Sequence, residues 1–278
     1  MKNIFDGYLL LSDLDGTLLN EQKQIPQRNL QAIQHFTQEG GLFTLATGRS
    51  PIFVQELAKQ LPINSPCVVL NGAQVYDLQQ ECGIGPRFYL PKSCQGLLEK
   101  IVNDLPQAGL LIMTDARNYV ISTSNEPALR RNYYGELVGL RSATFSEIDG
   151  EWNKAIFIHN PEEMEALDTY FSQLDMPDIS HTRSCNVYME LQPRQATKGA
   201  AMLRLAKYLG ILPEHTIAIG DYLNDLSMLQ AAGIPVVPSR CHPDLLEKVH
   251  PLQVGSCEQG AVADAIEWLE NHLSAHLF

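Results

Sequence analysis

Four short segments of this chain are apolar at successive positions: YLLLS at 8–12, LFTLAT at 42–47, HTIAIG at 215–220 and IPVV at 234–237. A strand without polar alternation buries both faces, as a parallel sheet covered by helices on each side requires. The helices are at hand. QRNLQAIQHFTQEG carries apolar residues at helical spacing and stops on Gly40, PIFVQELAKQL supplies another, and TKGAAMLRLAKYLG ends at Gly210. LNDLSMLQAAG and GAVADAIEWLENHL complete the set.

Between these two α/β stretches the rhythm changes. CVVLNGAQVYD reads as two strand pieces around an Asn-Gly turn. From Phe88 onward come a helix (SCQGLLEKIVNDL), strands GLLIMTD and NYVISTS, a helix near 126–137 and the strand KAIFIHN. A further helix (PEEMEALDTYFSQL) and strands DISHTR and NVYMELQ follow. Strands joined by short loops predict an antiparallel sheet with helices on one side. The expected organisation is a Rossmann-like parallel-sheet core from 1–81 and 187–278, interrupted by an α+β domain over 82–186. The 278 residues, 45% of them hydrophobic and 19% charged, suffice for two such domains.

Composition narrows the partners. A net charge of −12 opposes nucleic acid and anionic membrane surfaces. No segment approaches the roughly 20 apolar residues that a membrane span needs. The run in MKNIFDGYLLLSD is too short for a signal-peptide core, so a cytoplasmic protein is expected. The six cysteines, at 67, 82, 94, 185, 241 and 257, form no CxxC pair and read as free thiols in a reducing compartment. The eight histidines show no HxxH or HExxH spacing, which speaks against a histidine metal site.

The first apolar strand ends on DLDGTLL, with Asp13 and Asp15 two residues apart. Carboxylates at a strand end are costly to desolvate unless a cation or hydrogen bonds compensate them. The carboxyl end of a core strand is where open α/β sheets place ligands, and two acids with a tight Gly16 turn suit a hard divalent cation. A capped helix start, with Asp15 or Thr17 holding backbone amides, fits the pair equally well when it is read alone. Three more stretches stand at similar junctions. ATGRS puts Thr47 and Gly48 after the second core strand, where a phosphate can be held. Lys198 opens a predicted helix, and GDYLNDLSML places Asp221, Asn224 and Asp225 after the strand TIAIG.

Together and in this order, these four stretches resemble the motifs of the haloacid dehalogenase superfamily of phosphohydrolases, over essentially the whole chain. The resemblance puts Asp13 in the nucleophile position and Asp15 in the acid/base position, with Thr47, Lys198 and the Asp221, Asn224, Asp225 group in the second, third and fourth motifs. The 34 residues from Asp13 to Thr47 leave no room for a cap domain, whereas about 150 separate Thr47 from Lys198, against the roughly 30 of a βα unit. The cap therefore falls in the second gap. With NGA at 71–73 and QGAVADAI near the end, the arrangement looks like the Cof-type subfamily, whose members often act on sugar phosphates and other small phosphorylated metabolites. One departure is VVPSRC, with Arg240 where relatives commonly carry Asn in an Ala-Met-Gly-Asn-Ala run.

The resemblance implies a Mg²⁺-dependent phosphatase. Asp13 attacks phosphorus to give an aspartyl-phosphate, and Asp15 protonates the leaving alkoxide and then activates water. It also implies Mg²⁺ on the carboxylate of Asp13, the backbone carbonyl of Asp15 and Asp221, with Asp225 acting directly or through water, and phosphoryl oxygens on Thr47, Gly48, Lys198 and Asn224. The inserted domain is expected to act as a lid. Arg49 and Asn71, with Arg183 and its neighbours His181, Ser184 and Asn186 in the insertion, are candidate substrate contacts. The expected partner is a small phosphorylated metabolite, and the expected state a monomer or weak homo-oligomer. A phosphomutase and a non-catalytic sensor of a phosphorylated ligand are the competing readings.

Overall fold

A computed structural model describes residues 3–122 and 141–275. The chain divides into two compact units, Met1–Arg87 with Ala196–Phe278, and Phe88–Gln195.

In the first unit, strands Leu9–Ser12, Leu42–Leu45, Thr216–Ile219, Ile234–Pro238 and Leu252–Val254 form one parallel sheet. Leu9–Ser12 lies between Leu42–Leu45, at one edge, and Thr216–Ile219, with the other two strands beyond the latter. All four residues of Leu9–Ser12 and of Thr216–Ile219 are buried, which explains their unbroken apolar sequence. Side chains of a strand alternate between faces. Leu9 and Leu11 accordingly pack with Ala201, Met202 and Leu205 of the helix Lys198–Leu209. On burial scales each such leucine contributes about 2 kcal/mol, so a charge at Leu11 would break the sheet–helix seam. Helices Gln27–Gln38 and Ala261–Ala275 pack against one another.

Connectivity positions the site. The chain leaves Leu9–Ser12 toward Leu42–Leu45 on one side, and from Thr216–Ile219 it builds outward on the other. Strand order thus reverses between Leu9–Ser12 and Thr216–Ile219, and the carboxyl ends of two strands at such a reversal open a crevice. The residues that follow these two strands are Asp13 and Gly220-Asp221.

The second unit is a six-stranded sheet in the order Ile179–Cys185, Tyr188–Pro193, Trp152–Ile158, Gly109–Thr114, Asn118–Ser122, Arg141–Ser142. Its pairings are antiparallel except for the last, which is parallel. Helices Gln95–Asp104 and Met164–Ser172 bury Leu98, Ile101, Leu167 and Phe171 with Ala155, Phe157, Met189 and Leu191 of the sheet. This is the α+β pattern expected of the insertion. The helix expected near 126–137 lies outside the described residues.

The units part at 87/88 and 195/196, whereas the sequence suggests 81/82 and 186/187. Pairing is the physical reason for both offsets. Cys82–Ile84 extends the small antiparallel sheet of Cys67–Val69 and Gln74–Asp77 in the first unit. Tyr188–Pro193 is held between Ile179–Cys185 and Trp152–Ile158 in the second. Among the described residues no helix is long and apolar enough to cross a membrane.

Candidate active site

Asp13 follows directly on the strand Leu9–Ser12, and its amide donates to the carbonyl of Ile219 at 2.9 Å, which ties the ends of the two crevice strands together. Lys198 reaches the same point from the helix Lys198–Leu209. That helix starts where Thr197, as N-cap, accepts a hydrogen bond from the amide of Ala200. A lysine in a first helical turn opposes the helix dipole, and this one is wholly buried. Two carboxylates compensate it: Nζ lies 2.6 Å from Oδ1 of Asp13 and 2.6 Å from Oδ1 of Asp225. Burial pulls the ammonium pKa down, but Asp13 and Asp225 pull it up more strongly, so Lys198 stays charged well above its ordinary range.

Asp225 is fully buried and committed on both oxygens, since Oδ2 accepts the amides of Asp221 at 3.0 Å and Tyr222 at 3.2 Å. Asp221 accepts the hydroxyl of Thr17 on Oδ1 at 2.9 Å. Gly16, at φ +78°, lies against the other oxygen of Asp221, and Gly220 lies against the carboxylate of Asp225. A Cβ at either glycine would enter the acid it faces, which gives both a steric reason.

One carboxylate oxygen each from Asp13, Asp221 and Asp225 lies within 4.8 Å of the other two. Burial first, and then the charge of Asp225, raises the Asp13 carboxyl to about 7 despite Lys198 beside it. Burial, Asp13 and Asp225 likewise push Asp221 well above the carboxylate range. Three acids facing one lysine leave two negative charges in excess when all are ionised. Hard oxygen donors in that number and spacing fit a divalent cation. The residues that could hold one are Asp13, Asp221 and Asp225.

The side chain of Asp15 points elsewhere. Oδ2 accepts Nη2 and Nε of Arg49 at 2.7 and 3.2 Å, and Oδ1 lies 2.5 Å from Nζ of Lys23. Burial raises this carboxyl, but Arg49 and Lys23 outweigh it and hold it below its ordinary value. Arg49 also stacks over the ring of Phe53, 4.6 Å from the centroid.

Thr47 is buried after the strand Leu42–Leu45, and its hydroxyl accepts the amide of Arg49 at 3.1 Å; Gly48 between them is half-buried. The turn Leu70–Gly72 packs on this loop. Leu70 and Asn71 both have φ near +53°, and their amides donate to the carbonyls of Arg49 and Thr47. Asn71 is buried. Asn224 follows Asp221 by three residues, in the turn Leu223–Asp225, and its Oδ1 is buried without a hydrogen-bond partner among the described residues. An orphaned buried polar atom of this kind calls for a ligand or water.

Of the residues singled out from sequence, the structure thus gathers Asp13, Lys198, Asp221 and Asp225 into one cluster and places Asp15 with Arg49. Arg183 belongs to the second unit, and its Nε is buried without a partner among the described residues. Arg240 is largely exposed and pairs with Glu21 at 2.8 Å. Two contributors went unread as such. Thr17 is a hydroxyl donor to Asp221 rather than a helix cap, and Lys23 is a cation on Asp15. For Thr17 the signal was its place in DLDGTLL; for Lys23 the sequence offers none.

Known proteins resemble this chain over nearly its whole length. A model of haloacid dehalogenase-like hydrolases matches residues 10–266. The phosphatase YwpJ of Bacillus subtilis (strain 168) is 27% identical over 283 residues, covering 91% of this chain and 96% of that protein. The HMP-PP phosphatase of Yersinia enterocolitica serotype O:8 / biotype 1B is 27% identical over 266 residues, with 94% and 96% covered. The solved structure of BT4131, described as a subclass IIB sugar phosphatase, superposes with a TM-score of 0.79 at 18% identity, covering 94% of this chain and 98% of that one. That last likeness is one of fold: a parallel core sheet with an inserted α+β cap.

Proposed function

The chain belongs to the haloacid dehalogenase-like hydrolases, and from that premise we propose that it is a Mg²⁺-dependent phosphatase that hydrolyses phosphate monoesters of small metabolites through an aspartyl-phosphate. The observation that carries this reading is the buried ammonium of Lys198 between Asp13 and Asp225, with Asp221 alongside, at the carboxyl ends of the two crevice strands.

Phosphate monoesters hydrolyse very slowly without a catalyst, so position and charge neutralisation must supply most of the acceleration. Asp13 is the nucleophile. Its carboxylate must be ionised to attack phosphorus, and Lys198 at 2.6 Å favours that form. The ester oxygen leaves with the electron pair of the broken P–O bond, and Asp15 supplies its proton. Asp15 then takes a proton from the water that cleaves the aspartyl-phosphate, which returns both acids to their starting forms.

Thr47, the amide of Gly48, Lys198 and Asn224 are the groups available to the phosphoryl oxygens. Bound Mg²⁺, held by Asp13, Asp221 and Asp225, would offset charge as an anion approaches a dianion. With Arg49 and Lys23 on its carboxylate, Asp15 is set to act as a base. Its turn as an acid requires those cations to shift toward anionic oxygens of the substrate.

The name of the HMP-PP phosphatase supports small phosphorylated metabolites as the substrate class. The test is release of inorganic phosphate from an aryl phosphate and a panel of phosphorylated sugars, nucleotides and cofactors, with Mg²⁺ or with chelator. Hydrolysis that needs Mg²⁺ and falls by about 10³-fold or more in Asp13→Asn is expected. Undiminished turnover in Asp13→Asn would overturn the assignment.

A further inference from the structure

The three acids at the crevice are not held alike. Asp13 and Asp225 each accept Nζ of Lys198 at 2.6 Å, and Asp225 also accepts the amides of Asp221 and Tyr222. Among the described residues Asp221 joins no ion pair, and the donor that meets its carboxylate is the hydroxyl of Thr17, 2.9 Å from Oδ1.

The turn after Asp13 brings this hydroxyl into place. Gly16, at φ +78°, reverses the chain; the amide of Thr17 donates to the carbonyl of Leu14 at 3.4 Å, and that of Leu19 to the same carbonyl at 2.8 Å. Thr17 is wholly buried, and a β-branched side chain is stiff about its first torsion. Gly16 of the same turn lies against Oδ2 of Asp221. One short turn thus touches both oxygens of a carboxylate 204 positions beyond Thr17 in the chain, which restricts its rotation.

That restraint has a force to oppose. Asp13 and Asp225 carry the same charge as Asp221, and one oxygen of each lies within 4.8 Å of one of its own. An ionised Asp221 is therefore repelled by both when no cation lies among them. A hydrogen bond to a charged acceptor is stronger than one between neutral groups, and this one keeps the carboxylate beside its neighbours.

We propose that Thr17 is a positioning residue that presets Asp221 for a small octahedral cation, and that it thereby sets both the affinity for Mg²⁺ and the preference for Mg²⁺ over Ca²⁺. The inference deepens the phosphatase reading and rests on Asp13, Asp221 and Asp225 as the ligands of that cation. Mg²⁺ demands near-ideal octahedral geometry at about 2.1 Å, whereas Ca²⁺ accepts about six to eight oxygens in flexible arrangements at about 2.3–2.6 Å. A carboxylate without its restraint still finds a tolerable position on Ca²⁺, but it meets the Mg²⁺ geometry in only a fraction of its orientations.

The experiment is isothermal titration calorimetry of the full chain with Mg²⁺ and with Ca²⁺ at pH 8, on the parent, Thr17→Val and Thr17→Ser. Valine nearly keeps the volume and loses the donor; serine keeps the donor and loses a methyl group. Thr17→Val is expected to weaken Mg²⁺ binding by about 10–100-fold and Ca²⁺ binding by about threefold or less, so the preference between the ions shrinks. Thr17→Ser is expected to stay within about threefold of the parent for Mg²⁺. In phosphate release, the Mg²⁺ concentration for half-maximal rate should rise in Thr17→Val by the same factor, while kcat at saturating Mg²⁺ stays within about threefold. A merely structural role gives the reverse order, with serine, which opens a void, the more harmful of the two. Mg²⁺ affinity in Thr17→Val within about threefold of the parent, equal weakening of both ions, or a loss of about tenfold in Thr17→Ser would overturn the inference while the phosphatase reading stands. The serine variant decides the matter if the valine one does not fold. A parent chain that binds neither ion would overturn the metal reading together with this inference.

Discussion

The ammonium of Lys198 lies 2.6 Å from the carboxylate of Asp13, 185 positions earlier in the chain. The contact joins the helix that follows the inserted unit to the strand that opens the first. Removing one partner from a buried ion pair leaves the other charge without compensation, which costs more than the pair itself contributes.

Lys198→Met, which keeps the volume, is therefore expected to lower the unfolding free energy by about 3 kcal/mol in metal-free buffer. Phosphate release should fall by about 10²-fold or more. Urea denaturation followed by circular dichroism, beside the activity assay, checks both. A variant as stable and as active as the parent would show that the ammonium is dispensable.

Stability should depend on pH through Asp13. Its folded-state pKa is raised from 3.8 to about 7 by burial and by Asp225, so the folded protein binds this proton more tightly than the unfolded chain. The resulting stabilisation is fully present below about pH 4 and is lost as pH rises through about 7; Asp221 acts in the same direction. On the proposed reading Mg²⁺ binds the ionised acids, so protons compete with it. The rise in Tm from saturating Mg²⁺ should be larger by a few degrees at pH 8 than at pH 5.5. Scanning calorimetry at the two pH values decides the matter, and a larger rise at the acid pH would contradict it.

Gly16→Ala combines a backbone at φ +78° with a methyl group directed at Asp221. A loss of about 1–3 kcal/mol in stability is expected, together with weaker Mg²⁺ binding by isothermal titration calorimetry. Weakened metal binding separates this variant from one that suffers backbone strain alone.

Asp15→Asn removes the proposed proton donor but spares the proposed nucleophile. Its effect should follow the leaving group: a loss of about 10²–10⁴-fold on an alkyl phosphate and a much smaller one on 4-nitrophenyl phosphate, whose phenolate departs without help. Equal losses on the two esters would point to a role other than proton transfer.

How far the sequence reveals this arrangement depends on how local each signal is. Asp13 and Asp221 were legible because each stands within two residues after an unbroken apolar strand, and parallel topology brings strand ends together. Lys198 was legible by its place in the motif order and at the start of a helix that ends on Gly210. Thr17–Asp221 spans 204 positions, and only the place of Thr17 in DLDGTLL hints at it. Lys23 owes its place to a left-handed turn held by Asn20, whose composition, NEQKQ, carries none of the usual glycine. The strand Leu252–Val254 is half-exposed and only three residues long, and so lacks the apolar run that marks its neighbours. Tyr188–Pro193 was read as a strand, but pairing rather than composition decides which sheet a strand joins.

The central claim is that Asp13 carries the phosphoryl group during turnover. Rapid acid quenching of the Mg²⁺-loaded protein with a ³²P-labelled phosphate ester, followed by peptide mapping, tests it most directly. Label on the peptide that contains Asp13, absent from the Asp13→Asn variant, is the predicted result. Steady release of labelled phosphate with no label on the protein, at a rate that Asp13→Asn leaves unchanged, would contradict it.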